Sequence, residues 1–462
     1  MAERKSLFPK LDPLFMGWSV GTLGVSVLLN TQNAFALFFF VKVLSIEPWV
    51  AGAIITGSKI YDSVTDPLMG TISDRTQSRW GRRRPYLLTG GIACGICFAL
   101  LFTIPTFANE TLTLVYIVGV LLLLATAYTI FNVPYLAMPT EMVEDYNDRS
   151  RLMSYRVVWI SIGTFIAVSV VPAFIGLLQN YMSVESRTAY AIMGLVGGII
   201  ISTAMVTCFF GTRSAKFTSS VQVSLPLAER VRMVMDNRPF LLFLGIKLTG
   251  LTAFAAILAA KPFIVTVVMQ RGIEIIGLFG LMQLIGQAST IPLWLAYTKR
   301  VGKRQALMVA TVAMMLFTMT WVFSGPQESL WMYGLRGLLL GIGASGTQLA
   351  GQAMLPDVIE YDYRLTGLRR EGVYAGFLSF AEKLAFTLSA IIIGSYLSYM
   401  GFIKGAPAAA QPSSAVTAIM MCQMVLPIGL YVVKMVLVYF YDLDANKLKN
   451  TQPPKLAEEP AT

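Results

Sequence analysis

Twelve apolar stretches of membrane-spanning length, separated by short polar breaks, run through the chain. They fall near residues 14–41, 48–73, 85–106, 112–138, 152–178, 189–211, 239–269, 273–297, 305–323, 329–355, 372–399 and 415–441. Backbone in lipid has to satisfy its own hydrogen bonds, so each stretch predicts a helix. The alternating pattern that a membrane barrel needs is missing. The expected fold is therefore an all-α membrane protein of twelve transmembrane helices. Two polar interruptions stand out in the second stretch, Asp62 and Asp66. Counting from Pro48 at 1.5 Å per residue puts Asp62 ~21 Å along its helix, well inside a bilayer ~30 Å thick.

The pair carries the candidate chemistry. At i and i+4 the two carboxyl groups share one helix face, about 6 Å apart at Cβ. A carboxylate at that depth costs ~3 kcal/mol or more, so it should face a cavity and meet a cation. Two acids one turn apart repel unless a proton or a metal ion sits between them. A structural pair with Lys59 or Lys383 is the competing account.

Hydrophobic residues make up 55% of the 462 and charged residues 13%, which excludes a soluble globular protein. The net charge of +11 raises the question of nucleic acid, but most of the 36 Lys and Arg lie in alternate connecting loops. That distribution is the positive-inside bias, with both termini expected in the cytoplasm and no folded basic domain left to bind nucleic acid. The segment MAERKSLFPKLDP is polar and leads into a long span, so no cleaved signal peptide is expected. The chain has no histidine and no Gly-rich phosphate loop ending in Lys-Ser/Thr, which excludes histidine-based catalysis and argues against an ATP-driven pump. Cys94 and Cys97 have redox spacing but lie in an apolar run, where packing between helices is expected.

The two halves echo each other. MPTEMVEDY (Met138–Tyr146) after the fourth stretch recurs as LPDVIEYDY (Leu355–Tyr363) after the tenth. RWGRRRP (Arg79–Pro85) recurs more weakly as RVGKRQ (Arg300–Gln305). Such matches imply a duplicated six-helix unit with a solute path between the halves. The expected organisation is a first bundle over 1–211, a cytoplasmic linker over 212–238, a second bundle over 239–441 and a tail over 442–462. Within the linker, Leu225–Met235 reads as a short amphipathic surface helix. The glycine-rich runs GLVGGI (Gly194–Ile199) and GLLLGIGASG (Gly337–Gly346) predict close helix packing.

Five stretches together carry a resemblance: Tyr61-Asp62 through Asp66-Pro67 to Gly70 with Ser78–Arg82, YTIFNVPY (Tyr128–Tyr135), YNDRSRLMSYR (Tyr146–Arg156), EYDY (Glu360–Tyr363) and REGVYAGF to Lys383. In that order they resemble the melibiose-permease-like members of the glycoside–pentoside–hexuronide:cation symporter family, within the major facilitator superfamily. The resemblance implies a major facilitator fold of two pseudo-symmetric six-helix bundles. It also implies cation-coupled symport of a sugar, glycoside or sugar acid by alternating access, with no enzymatic activity. Its implied cation site is Asp62, Asp66 and Thr129, taking Na⁺ or H⁺, with Lys383 as the coupling residue; no other cofactor is expected. Arg156, Tyr128, Asn132, Asn30, Asn33 and Gln348 are the candidate solute-binding residues. Asp74, Arg75, Arg83, Glu141, Glu144 and Asp145 are candidate gating charges at the cytoplasmic ends. A monomer in the bacterial inner membrane is expected.

The chain departs from the family's pattern where sugar is bound. Asn132 replaces a sugar-binding aspartate, the first helix has no aspartate, and Leu136 and Gln348 stand in place of tryptophans. With Arg156 and Lys383 kept, and Lys247 and Lys261 in the seventh helix, the cavity is expected to favour an acidic or differently hydroxylated solute. Both lysines have a bland alternative, snorkelling to the interfaces. A cation-coupled carrier of lysolipid or another amphipathic anion is the second functional reading. An intramembrane enzyme is a third, but it would need a clustered nucleophile and base.

Overall fold

Each of those apolar stretches is helical in the computed structural model, which describes residues 12–143, 146–215, 232, 234–366, 371–443 and 447–448. The long helices are α1 (Pro13–Val43), α2 (Pro48–Arg75), α3 (Arg84–Phe102), α4 (Glu110–Ala137), α5 (146–180) and α6 (Ser186–Gly211). They continue as α7 (Arg238–Val268), α8 (Ile275–Val301), α9 (Lys303–Phe323), α10 (Leu330–Thr366), α11 (Glu371–Tyr399) and α12 (Ser413–Phe440). No strand occurs among the described residues. By length and composition, 10 helices qualify as membrane spans. The two others are α2, with 28 residues, and α10, with 37, both longer than a bilayer needs. Both are less apolar than the rest: α2 carries Lys59, Asp62 and Asp66, and α10 is rich in glycine and holds Thr347, Gln348 and Gln352.

The sequence places LPDVIEYDY after the tenth span, whereas α10 runs through it to Thr366. An i,i+4 pair between Arg364 Nε and Glu360 Oε1 at 2.7 Å supports the extension. The expected surface helix at Leu225–Met235 lies largely outside the described residues, as do Glu144 and Asp145.

Duplication is visible in backbone detail. Gly81 after α2 has φ 91 and Gly302 after α8 has φ 87, a conformation open to glycine and strained for other residues. The basic residue after each glycine then meets an acid near the next signature, Arg82 with Glu141 and Lys303 with Asp357. Helices α1 and α7 also end alike. Each closes in a π turn, Phe39–Val43 or Ile264–Val268, and two residues later Ser45 (φ 55) or Gln270 (φ 53) turns the chain. Amide to carbonyl bonds Ile46 to Phe40 (2.9 Å) and Arg271 to Val265 (3.0 Å) seal both ends in the same register.

The chain forms two compact units. The first comprises Met1–Gln32 and Gly57–Gln222; the second comprises Asn33–Thr56 and Val223–Thr462. In the first, α3 packs on α4 and α6 through glycines. A side chain at Gly95 would collide with Ser202 and with the Gly198 carbonyl. Around this seam Phe98, Phe102 and Tyr190 stack, while Trp18 lies 4.7 Å from the Tyr135 ring. In the second unit α7 lies against α11 and α12, and α8 meets α10 at Gly286, Gly337 and Gly341. Residues 33–56 pack there too, with Phe38 5.1 Å from Phe263 and Thr56 Oγ1 donating to the Thr387 carbonyl at 3.3 Å. The glycine runs therefore serve packing. Gly95→Ala should cost about 1–3 kcal/mol by forcing α3 from α6. Gly119→Ala, with open space around it, should cost nothing. Melting of the detergent-solubilised protein checks both.

Candidate cation site

Helices α2 and α4 bring the predicted cation residues together in the first unit. Asp62 and Asp66 project from one face of α2, and Thr129 reaches them from α4. Thr129 Oγ1 lies 2.6 Å from Asp62 Oδ1 and 2.9 Å from Asp66 Oδ1. Asp62 is 3% exposed and Thr129 2%, while Asp66 is half-buried. A second hydroxyl, Thr65 Oγ1, is 3.4 Å from Thr129 Oγ1 and donates to the Asp62 carbonyl at 3.1 Å. Tyr61 and Thr126, 3.0 Å apart at their hydroxyls, fix α2 beside α4 next to this group. Pro67, inside the helix directly after Asp66, has no N–H to give to the carbonyl one turn back.

One Thr129 hydroxyl carries one proton and faces two carboxylate oxygens. It satisfies one of them. Two carboxyl groups and a hydroxyl gathered in one cluster are hard oxygen donors of the kind that suit a shared proton or an oxygen-ligated cation. Sodium or a proton would be cargo here, held by Asp62, Asp66 and Thr129.

A cavity opens on the other side of Asp62, lined by Gln32, Ser58, Lys59, Asp62, Leu124 and Tyr128 among others. It leaves about 10 Å³ for the centre of a water molecule, room for a water or a bare ion and far too little for a sugar. Lys59 Nζ donates to Gln32 Oε1 at 3.5 Å in this cavity. A permanent positive charge thus sits one turn from Asp62. The sequence offered Lys59 only as a structural partner; its place beside Gln32 on α1 required the fold.

The remaining candidates divide between the units. In the first, Tyr128 and Asn132 are each 8% exposed. Arg156 Nε is buried with no hydrogen-bond partner among the described residues. Asn30 donates to the Ser26 carbonyl (2.9 Å) and to Thr164 Oγ1 (3.2 Å), which ties it to α5. In the second unit Asn33 is half-buried, and Gln348 accepts from Gln287 Nε2 at 2.5 Å. Lys383 is half-buried on α11, its carbonyl accepting from Thr387 Oγ1 at 2.8 Å.

Among the gating candidates, Arg83 binds Asp74 Oδ1 at 3.0 Å and Glu141 Oε1 at 2.7 Å. Arg82 joins the same Glu141 oxygen, and Arg75 is exposed at the end of α2. Lys261 is 3% exposed, with its ammonium 3.6 Å from the Phe279 ring centroid, so it is held inside the second unit rather than at an interface.

The sequence model of the family described as "MFS/sugar transport protein" matches residues 17–445. The chain belongs to this family. It is an integral membrane transporter with the major facilitator fold, not an enzyme. Among its relatives, "Uncharacterized symporter YnaJ" of Bacillus subtilis (strain 168) is 26% identical, over 94% of this chain and 92% of the relative. "Putative glycoside/cation symporter YagG" of Escherichia coli (strain K12) is 25% identical, over 93% of this chain and 91% of its own. A solved structure titled "Structural insights into substrate recognition in proton dependent oligopeptide transporters" covers 94% of the transporter and 99% of its own chain. Its TM-score is 0.66 at 11% identity, a likeness of fold alone.

Proposed function

We propose that the transporter carries a sugar-type solute (a sugar, glycoside or sugar acid) in symport with Na⁺ or H⁺. The observation that carries this reading is the Asp62–Thr129–Asp66 cluster, two acids and one hydroxyl proton at membrane depth. Binding of the cation there lets both acids remain buried, and its loss leaves a charge that Lys383 is placed in sequence to offset. Arg156, Tyr128, Asn132, Asn30, Asn33 and Gln348 form the proposed solute set. The unpartnered Arg156 Nε supports it, since a guanidinium presents forked donors to hydroxyls or to an acid. The names of relatives, a glycoside/cation symporter among them, favour the same solute class.

The carrier is proposed to work as a monomer in the bacterial inner membrane with both termini cytoplasmic, alternating access between its sides. Asp74, Arg75, Arg83 and Glu141, with Glu144 and Asp145, are the proposed gating charges at the cytoplasmic end. Proteoliposomes given an imposed sodium or proton gradient should accumulate a neutral sugar or a uronate above its outside concentration. Equal uptake without any gradient would demote the protein to a facilitator. Accumulation of lysolipid alone would replace the solute class.

A further inference from the structure

Lys434 interrupts the apolar run LYVVKMVLVYF of α12. The structure buries it to 5% exposure. Its ammonium lies beside α7, 3.4 Å from where a Cβ on Gly250 would stand. Lys247 is on the same face of α7, one turn before Gly250. Its Nζ is 3.7 Å from the corresponding position on Gly351 of α10 and 5.6 Å from the Phe243 ring centroid. The two ammonium groups are close enough to feel each other's charge, and Glu382 on α11 is the carboxylate that acts on Lys247. Neither lysine makes a hydrogen bond or an ion pair among the described residues.

Snorkelling does not account for Lys434. It stands six residues before the end of α12, about 9 Å, yet its tip meets α7 at a residue twelve from that helix's start, about 18 Å deep. Leu437 of α12 meets the Cβ position of Gly245 on α7 at 3.0 Å, whereas the tip of Lys434, three residues earlier on α12, meets that of Gly250, five residues further into α7. The side chain therefore points inward, away from the interface. Two ammonium groups against one carboxylate leave an uncompensated positive charge in a low-dielectric interior, which is costly unless a ligand completes it. At Gly250 and Gly351 the two ammonium groups stand within van der Waals reach of where a Cβ would be, close against α7 and α10.

We propose that Lys247 and Lys434 form an anion-binding site in the second unit for the carboxylate or phosphate oxygens of an acidic solute. The assignment rests on the transport reading above and narrows its solute class. The ligand supplies a further negative charge, and each ammonium donates to its oxygens.

Thermal stabilisation of the purified full-length protein by D-glucuronate, glucose 6-phosphate and D-glucose tests the site. One or both acidic probes should reach half-effect at a concentration at least tenfold below glucose, and which of them does so separates carboxylate from phosphate. Lys434→Gln and Lys247→Gln should each raise the half-effect concentration of the acidic probe about tenfold to a hundredfold. Lys404→Gln, at a surface pair with Glu47, should leave it unchanged. A cation-dependent shift retained in each variant shows that it is folded. Should Lys434→Gln not fold, the half-exposed Lys247 position carries the test. Equal response to glucose and both acids, no response to either acid, or parent-like binding by the folded variants overturns the site. A protein that binds glucuronate through these lysines but never accumulates solute on a gradient loses the symport reading and keeps the site. One that accumulates glucose on a gradient, with both variants unaffected, does the reverse.

Discussion

Asp62→Asn abolishes gradient-driven accumulation while solute exchange across the membrane continues. The amide preserves the shape of the carboxyl group and can still accept from Thr129, 2.6 Å away, so the α2–α4 contact survives. What it removes is the negative charge proposed to hold the coupling cation or proton. Coupling between two ligands amounts to about 1–3 kcal/mol, a factor of roughly 5–150 in affinity. The accumulation ratio under an imposed sodium or proton gradient should therefore fall by one to two orders of magnitude, towards simple equilibration. Counterflow of labelled solute, which needs reorientation of the loaded carrier alone, should persist. Undiminished accumulation by this variant would remove Asp62 from the coupling machinery.

Glu141→Ala should be the most destabilising single change among the loop charges. Glu141 and Arg83 have side-chain exposures of 3% and 9%, and Arg82 shares the same carboxylate oxygen. Removing the acid leaves a buried guanidinium with Asp74, 56% exposed, as its one carboxylate partner among the described residues. Breaking a buried pair in this way costs about 3–5 kcal/mol. The equivalent pair in the second half behaves differently because Lys303 and Asp357 are 40% and 27% exposed. Solvent screens it, so Asp357→Ala should cost at most about 1 kcal/mol. Melting of the two variants side by side in detergent measures the contrast. Equal losses would mean that burial does not set the strength of this repeated ion pair.

Much of this protein was legible before any coordinates. Helix number follows from hydrophobic length, because lipid offers a backbone no other partners. The Asp62–Asp66 pair stood out for the same reason: a carboxylate at bilayer depth is costly, which singles it out as a candidate site. Lys434 satisfied that rule equally well and was missed, since a single lysine near a helix end reads as one that snorkels. Its inward direction depends on which neighbour α12 packs against, and no local pattern carries that. The same holds for Lys59 and Gln32, which share a cavity although they belong to different helices.

Reading along the chain was enough for twelve membrane-spanning helices, the duplicated signatures and the Asp62–Asp66 pair, and the resemblance carried by those signatures implied transport. Packing between helices set the approach of Thr129 to both acids and the burial of the Lys434 ammonium against Gly250 of α7. It also decided that the ends of α1 and α2, residues 33–56, pack with α7 and α11. The physical reason is that burial and hydrogen bonding in these contacts depend on which helix faces which, a choice made by packing across hundreds of residues.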